Sequence, residues 1–117
     1  MTARTILVLE DEALIALDIE ETLLQAGYEH IVLCHDVASA MAAIEAQNPT
    51  FAFLDLNLGH DETSICVARE LARREVAFCF LSGYTRATVA LPDDLANRPR
   101  MTKPFKSADL IRSISIA

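Results

Sequence analysis

The sequence has 117 residues, a mass of 12.9 kDa and a formal charge of −7 at neutral pH, a length that favours one domain and leaves no room for a separate output module. Acidic residues outnumber basic ones 17 to 10, the wrong sign for a surface that neutralises phosphates, so direct DNA binding is not expected. Hydrophobic residues make up 52% of the chain, enough for a core of its own.

The chain opens with an apolar run at Ile6–Leu9, short enough to be a strand buried on both faces. The segment after Glu12 carries apolar side chains on one face and acids on another, which predicts an amphipathic helix. Gly27 is suited to the left-handed backbone that ends such a helix. A second buried strand is predicted at Ile31–Cys34.

A second helix follows, with Asp36 as its N-cap and Asn48-Pro49 as its stop, because Asp favours N-caps and proline cannot continue a helix. The run Phe51–Leu54 predicts a third strand. A third helix is expected from Glu62 to Arg74, completing the same strand-then-helix pattern.

The last third of the chain repeats the pattern less clearly. Ala77–Leu81 predicts a fourth strand, and a weaker apolar run around Met101 predicts a fifth, which we expect to be buried as well. Prolines and Asp/Asn residues interrupt the segment from Thr85 to Arg100, so a short or mobile helix is expected there. A final helix is predicted from Ser107, as its N-cap, to near the C-terminus.

Five strand-then-helix units predict an α/β fold with a parallel sheet and helices on both faces. In such sheets, functional groups gather where the carboxyl ends of the strands meet the loops. With the flavodoxin-like strand order 2-1-3-4-5, the first and third strands are neighbours, which places Glu10 and Asp11 beside Asp55. Ser82 follows the fourth strand and Lys103 follows the fifth.

Three carboxylates within a few ångströms repel each other by about 1 kcal/mol per pair in water, and more in a drier cleft. They therefore need a cation, and their hard oxygens suit Mg²⁺, whereas zinc is disfavoured because no His or Cys belongs to the cluster. Ser82 would add a hydrogen-bond donor and Lys103 a positive charge. This set matches phosphoryl transfer to a carboxylate, in which catalysis is mainly positioning and charge neutralisation.

Four segments carry a family resemblance that covers essentially the whole chain: ILVLEDE (Ile6–Glu12), FAFLDLNL (Phe51–Leu58), FLSGY (Phe80–Tyr84) and KPF (Lys103–Phe105). Each is weak alone, but in this order and at these spacings they are specific. The sequence resembles the receiver domain of response regulators in two-component signalling. The resemblance implies a flavodoxin-like (βα)5 three-layer sandwich and a single receiver domain over residues 1–117, with no output domain.

The resemblance also implies a role for each residue of the cluster. Asp55 would be the phosphoacceptor, with Mg²⁺ held by Glu10, Asp11, Asp55 and the backbone carbonyl of Asn57. Ser82 would be the switch hydroxyl, and Lys103 would pair with the phosphate. The implied partners are a sensor histidine kinase or phosphotransfer protein and an unknown downstream protein contacted without DNA binding.

A narrower likeness involves FCFLSGY (Phe78–Tyr84) and DLNLGHDETS (Asp55–Ser64), which are similar to the alphaproteobacterial stand-alone receivers of the FAT GUY group and imply a histidine kinase of the HWE or a related class.

One position departs from the general family pattern. Most receivers carry an aromatic residue three positions before the lysine, where this chain has Arg100. An arginine cannot enter an apolar slot without a partner, so Tyr84 is a candidate substitute for the usual aromatic switch.

Two other functions would use parts of the same sequence pattern. A phosphorylation-independent pseudo-receiver would act only through protein contacts, although the complete set of acids, Ser82 and Lys103 argues against a decayed site. A small phosphatase resembling haloacid dehalogenases would use the same residue types, but those enzymes place the nucleophile after the first strand and carry cap insertions. We expect no enzyme activity beyond self-phosphorylation and autodephosphorylation.

The three cysteines, Cys34, Cys66 and Cys79, lie far apart and form no CxxC pattern, so neither a disulfide framework nor a zinc site is expected. The longest apolar stretches fall well short of the ~18 residues needed to span a bilayer. The N-terminus lacks the features of a signal peptide. The expected location is therefore cytoplasmic, with no membrane association.

Overall fold

The computed structural model describes residues 4–59, 62–83 and 91–115. These form five strands and four helices, which are, in chain order: β1 (Thr5–Leu9), α1 (Ala13–Gln25), β2 (His30–Cys34), α2 (Val37–Gln47), β3 (Phe51–Asp55), α3 (Ile65–Arg73), β4 (Ala77–Ser82), β5 (Arg100–Thr102) and α4 (Ser107–Ser115). Every predicted strand is confirmed, with bounds within about a residue of the apolar run that predicted it.

The strands form one parallel sheet in the order β2-β1-β3-β4-β5, which confirms the flavodoxin-like topology. The central pair aligns Ile6 of β1 with Phe51 of β3, and Leu9 with Leu54. This register brings the carboxyl ends of β1 and β3 to the same level at the same edge of the sheet. The residues that follow these two strands are therefore neighbours.

Alternate side chains along each strand enter two separate hydrophobic layers, because successive residues of a strand point to opposite faces. Leu7, Ala52 and Phe78 pack on the face covered by α2 and α3. Val8 and Phe53 pack on the other face, against α1 and α4. The arrangement confirms a three-layer sandwich whose central strands are buried on both faces.

The edge strands differ from the expectation of full burial. The middle residues of β2 are half-buried, and Arg100 and Thr102 of β5 are exposed with Met101 half-buried between them. A strand at the edge of a sheet has a neighbour on one side only, and β5 is three residues long. Its exposure therefore follows from its position.

Three helix ends form as predicted. Asp36 Oδ1 accepts a hydrogen bond from the Ser39 N–H at 2.8 Å, and the Ser39 hydroxyl lies 3.4 Å from the Asp36 N–H, which together make a capping box. At the far end of α2, Asn48 is left-handed with φ of 48°. Gly27 has φ of 102° just beyond α1, and the Tyr28 N–H donates to the Leu23 carbonyl, as in a Schellman motif.

One predicted helix start and one predicted N-cap are wrong. The third helix begins at Ile65 instead of Glu62, because the Glu62 N–H donates to the Gly59 carbonyl at 2.8 Å and the Glu62 carbonyl accepts from Leu58 at 2.9 Å. These bonds keep the backbone of Glu62 outside the helix. Ser107 is the first residue of α4 and not its N-cap, since the Lys106 carbonyl already accepts from the Leu110 N–H.

The segment expected to hold a short or mobile helix, Thr85 to Arg100, lies partly outside the described residues. Its described part, residues 91–99, is a series of turns in which the Leu95 N–H donates to the Pro92 carbonyl at 2.9 Å. Leu95 itself is buried in the layer beneath α2 and α3. Among the described helices, none has the length and apolar character required to cross a bilayer.

Candidate functional site

Carboxylates from two neighbouring strands meet at the carboxyl edge of the sheet. Glu10 and Asp11 directly follow β1, and Asp55 is the last residue of β3. One oxygen from each of these three carboxylates lies within 4.8 Å of the other two. Glu10 and Asp55 are buried, at 1% and 4% exposed, whereas Asp11 is exposed. The three carboxylates therefore lie close together, as the strand order predicted.

Lys103 supplies positive charge to this cluster from the turn after β5. Its Nζ donates to Asp55 Oδ2 at 3.0 Å and lies 2.8 Å from Glu10 Oε2. The backbone N–H of Lys103 donates to the Ser82 carbonyl at 2.8 Å, and the Lys103–Pro104 peptide is cis. The lysine side chain is 13% exposed, so its ammonium bridges two carboxylates in a partly dry environment, where charges interact more strongly than in water.

The protonation of these groups is perturbed. Burial raises the pKa of Glu10 to about 8, and the adjacent Asp55 carboxylate adds to the rise, while Lys103 opposes it. Burial alone would lower the pKa of Lys103, but its bonds to Glu10 and Asp55 outweigh that effect, so the pKa is raised. Lys103 therefore stays charged, and Glu10 keeps its proton to a higher pH than an ordinary glutamate does.

The loop after β3 contacts the Asp55 carboxylate at the oxygen that Lys103 does not bind. The Asn57 N–H donates to Asp55 Oδ1 at 3.1 Å, and Asn57 Oδ1 accepts from the Gly59 N–H at 3.0 Å. Gly59 has φ of 77°, and a Cβ on it would lie 3.5 Å from Asp11 Oδ2. This loop thus brings the Asn57 backbone into the cluster and passes close to the Asp11 carboxylate.

Ser82 sits at the end of β4, but its hydroxyl is not directed at Asp55. The Ser82 Oγ donates to the Met101 carbonyl on the neighbouring strand at 3.4 Å, and the residue is 7% exposed. The next residue, Gly83, lines the cavity above Asp55. The structure therefore brings together Glu10, Asp11, Asp55, Asn57 and Lys103, and leaves the Ser82 hydroxyl bonded elsewhere.

An open cavity of about 560 Å³ lies over the cluster. Its walls include residues that the sequence interpretation did not place in the site: Glu12, Ile15, Asp18, Pro104 and Phe105. Asp18 belongs to the acidic face of the segment after Glu12. The signal that could have found it is spacing, since Ile15 and Asp18 are three residues apart on α1 and therefore lie on one face of that helix.

The cluster fits a hard divalent cation. Glu10 Oε2 is buried and makes no hydrogen bond of good geometry within the described residues; its close neighbour is the Lys103 ammonium. The donors that face each other, from Glu10, Asp11 and Asp55, are all carboxylate oxygens. Oxygen-only donor sets are those preferred by Mg²⁺ and Ca²⁺, and they are poor sites for zinc.

Two other expectations concern side chains near the site. Arg100 is exposed on β5, in agreement with the expectation that it does not fill an apolar slot. Tyr84, the proposed substitute for the usual aromatic residue, lies outside the described residues. Cys34 and Cys79 are buried, and Cys66 is exposed.

No family model matches the sequence. The transcriptional regulatory protein PdtaR of Mycobacterium tuberculosis is 31% identical over 116 residues, which is 97% of this chain and 56% of PdtaR. The chain therefore spans about half the length of the curated relatives it matches.

Solved structures match over nearly the full length of both chains. SdrG from Sphingomonas melonis is 32% identical with a TM-score of 0.83, and the match covers 98% of this chain and 97% of SdrG. A response regulator receiver protein from Sinorhizobium medicae is 28% identical with a TM-score of 0.80, covering 97% and 93%. This similarity agrees with the strand order β2-β1-β3-β4-β5 and with an acidic cluster beside a lysine at the carboxyl edge of the sheet. The chain belongs to the receiver-domain family of response regulators.

Proposed function

We propose that the chain accepts a phosphoryl group on Asp55 and signals through the contacts that the modified protein makes. The observation that carries this proposal is the position of Asp55: buried at the end of β3, bonded to Lys103, and facing an open cavity. A carboxylate held between a cation and a backbone N–H is oriented without help from bulk water. Such positioning is the main contribution of a protein to phosphoryl transfer.

The donor in this proposal is a phosphorylated histidine of a sensor histidine kinase or a phosphotransfer protein. One Asp55 oxygen attacks phosphorus and forms an O–P bond while the P–N bond of the phosphoimidazole breaks. The electron pair of that bond stays on the ring nitrogen, and the ring, protonated on its other nitrogen, leaves as neutral imidazole. Hydrolysis later breaks the P–O bond and returns the Asp55 carboxylate and inorganic phosphate.

Each residue of the cluster has a part in this step. Lys103 is placed to move its ammonium from the Asp55 carboxylate to a phosphoryl oxygen, since it already lies 3.0 Å from Oδ2. The Asn57 N–H fixes Oδ1. Glu10, Asp11, Asp55 and the Asn57 carbonyl would hold Mg²⁺, which supplies neutralisation of phosphoryl charge when bound. Ser82 would serve as the switch hydroxyl after leaving its bond to the Met101 carbonyl.

The finer assignments follow the resemblance and belong to the same proposal. The likeness to the FAT GUY group favours a kinase of the HWE or a related class, with the signal passed to a downstream protein and not to DNA. We propose no chemistry on a separate substrate. The two alternatives are less favoured: the phosphatase would need its nucleophile on β1, whereas Asp55 is on β3, and the pseudo-receiver does not account for a complete acidic cluster bonded to a lysine.

Intact-mass measurement tests the proposal. The wild type, Asp55→Asn and a control, Asp93→Asn, are incubated with Mg²⁺ and either a small phosphodonor or a phosphorylated histidine kinase. Asp93 is exposed and lies outside the cavity. We expect one base-labile phosphoryl group on the wild type and on the control, and none on Asp55→Asn. Equal labelling of Asp55→Asn, or no labelling of the wild type by any donor, would refute the acceptor role.

A further inference from the structure

The side chain of Glu62 connects the loop after β3 to the start of α2. Glu62 Oε1 accepts the Val37 N–H at 3.1 Å, in a partly buried contact between segments 25 residues apart. Val37 is the first residue of α2, and the N–H groups of a first helical turn have no partner within the helix. The contact therefore satisfies a donor that the N-cap does not reach, since the Asp36 side chain accepts from Ser39.

The backbone of Glu62 is bonded within the loop itself. Its N–H donates to the Gly59 carbonyl at 2.8 Å, and its carbonyl accepts the Leu58 N–H at 2.9 Å. The next residue, Thr63, forms an antiparallel bridge with Asn57. The backbone that carries Asn57 is thus bonded to a residue that is itself bonded to α2.

One of these bonds bears directly on the Asn57 carbonyl. The Asn57 carbonyl and the Leu58 N–H belong to the same peptide unit, which is planar, and in a trans peptide the two groups point in opposite directions. The bond from Leu58 to the Glu62 carbonyl therefore fixes the direction of the Asn57 carbonyl. The buried Leu58 side chain helps to place the loop, but apolar burial is not directional, whereas a hydrogen bond is.

Glu62 acts on the site from outside it. Within the described residues, Glu62 is neither part of the carboxylate cluster of Glu10, Asp11 and Asp55 nor a wall of the cavity above it. Its carboxylate also lies at the N-terminus of a helix, where the helix dipole favours negative charge. Its contacts are thus those of a residue that holds a backbone segment in place, and not those of a metal ligand.

We propose that Glu62 is a positioning residue for the metal site. By binding the first turn of α2, its side chain holds its own carbonyl where the Leu58 N–H can reach it, and this bond directs the Asn57 carbonyl toward the cation. The inference rests on the Mg²⁺ site of the proposed function but not on phosphoryl transfer. It also makes α2 sensitive to the metal, because coupling between two sites acts equally in both directions.

Calorimetric titration with Mg²⁺ tests the role of the side chain. The proteins compared are the wild type, Glu62→Ala, Glu62→Gln and the control Asp36→Ala, each shown to be folded by circular dichroism. Glu62→Gln removes the same charge as Glu62→Ala but keeps an oxygen that can accept the Val37 N–H. Asp36→Ala removes another bond to the first turn of α2 and leaves the loop after β3 unchanged.

We expect Glu62→Ala to weaken Mg²⁺ binding by about five- to tenfold, because loss of a residue that supports metal ligands typically costs at least that much affinity. Glu62→Gln is expected to weaken it by less than about twofold, since the hydrogen bond remains. Asp36→Ala should bind Mg²⁺ as the wild type does. Equal affinities of Glu62→Ala and Glu62→Gln, or an equal loss in Asp36→Ala, would overturn the positioning role.

Amide hydrogen exchange of the wild type tests the reverse direction without any substitution. Saturating Mg²⁺ is expected to slow exchange of the Val37 N–H by about five- to tenfold relative to the protein in EDTA. The reference is the Asp109 N–H, which bonds to the Lys106 carbonyl at the start of α4 and should change by less than about twofold. Exchange at Val37 that Mg²⁺ leaves unchanged overturns the positioning role alone, and the acceptor role of Asp55 is then still decided by the mass measurement. A wild type that does not bind Mg²⁺ overturns the metal site as well.

Discussion

Replacing Glu10 with glutamine is expected to stabilise the metal-free protein at neutral pH. Glu10 is 1% exposed, and burial raises its pKa from the ordinary value of 4.5 to about 8. At pH 7 the folded state must keep this carboxyl protonated, although the unfolded chain would release the proton. Since one pKa unit corresponds to about 1.4 kcal/mol, the resulting cost is about 3 kcal/mol.

Glutamine has the same shape, and its Oε1 can still accept the Glu12 N–H, which lies 3.2 Å from Glu10 Oε1. Lys103 loses one of its two carboxylate neighbours but keeps Asp55. We therefore expect a net gain of about 2 kcal/mol for Glu10→Gln at pH 7.

The sign of the pH dependence follows from proton binding. Between about pH 4.5 and pH 8 the folded wild type binds more protons at Glu10 than the unfolded chain does, so its stability falls as the pH rises through that window. Glu10→Gln lacks this dependence. The two proteins are therefore expected to be nearly equal in stability at about pH 4.5 and to diverge above it.

Urea denaturation in EDTA at several pH values measures this difference, with the exposed substitution Glu12→Gln as the control for removal of a nearby acid. Mg²⁺ should then stabilise the wild type more than Glu10→Gln, because a ligand that binds only the folded state shifts the equilibrium toward it. A Glu10→Gln variant no more stable than the wild type in EDTA at pH 7, or with the same pH slope, would refute the reasoning.

Three further predictions concern other parts of the molecule. Asp36→Ala removes the capping box of α2 and is expected to lower the free energy of unfolding by about 1 kcal/mol, measured by urea denaturation against the control Asp36→Asn, whose side-chain oxygen can still cap the helix. Glu75 has φ of 60° and is exposed, so Glu75→Gly is expected to stabilise the fold by about 0.5–1 kcal/mol; a loss of stability would contradict the strain argument. Asp11→Asn is expected to weaken Mg²⁺ binding at least tenfold in calorimetric titration, and an unchanged affinity would remove Asp11 from the metal site.

The strands and their order were predictable because their signal is local. A run of four to six apolar residues between polar segments predicts a strand, and a repeated strand–helix pattern restricts the topology. The acidic cluster followed from that order, because β1 and β3 lie side by side. The α2 N-cap at Asp36 was also predictable, since its partner Ser39 is three residues away.

The wrong predictions concern features that depend on contacts between distant residues or on competing hydrogen bonds. Glu62 has a helical sequence context, but its N–H and carbonyl bond to Gly59 and Leu58, and its side chain accepts the Val37 N–H at 3.1 Å. No local pattern contains that last contact, which spans 25 residues. The exposure of β5 likewise depends on which strand lies at the edge of the sheet.

The sequence by itself determined the fold class, the five strands and the residues that meet at the carboxyl edge, because periodicity and the order of elements carry that information. Only the tertiary structure decided what each side chain does there: that the Lys103 ammonium bridges Glu10 and Asp55, that the Ser82 hydroxyl bonds to the Met101 carbonyl, and that Glu12 and Asp18 line the cavity. Side-chain directions, burial and the distances between charges depend on segments that are distant in the sequence and meet only in the folded protein. These features set the protonation of Glu10 and the charge that an incoming phosphodonor meets.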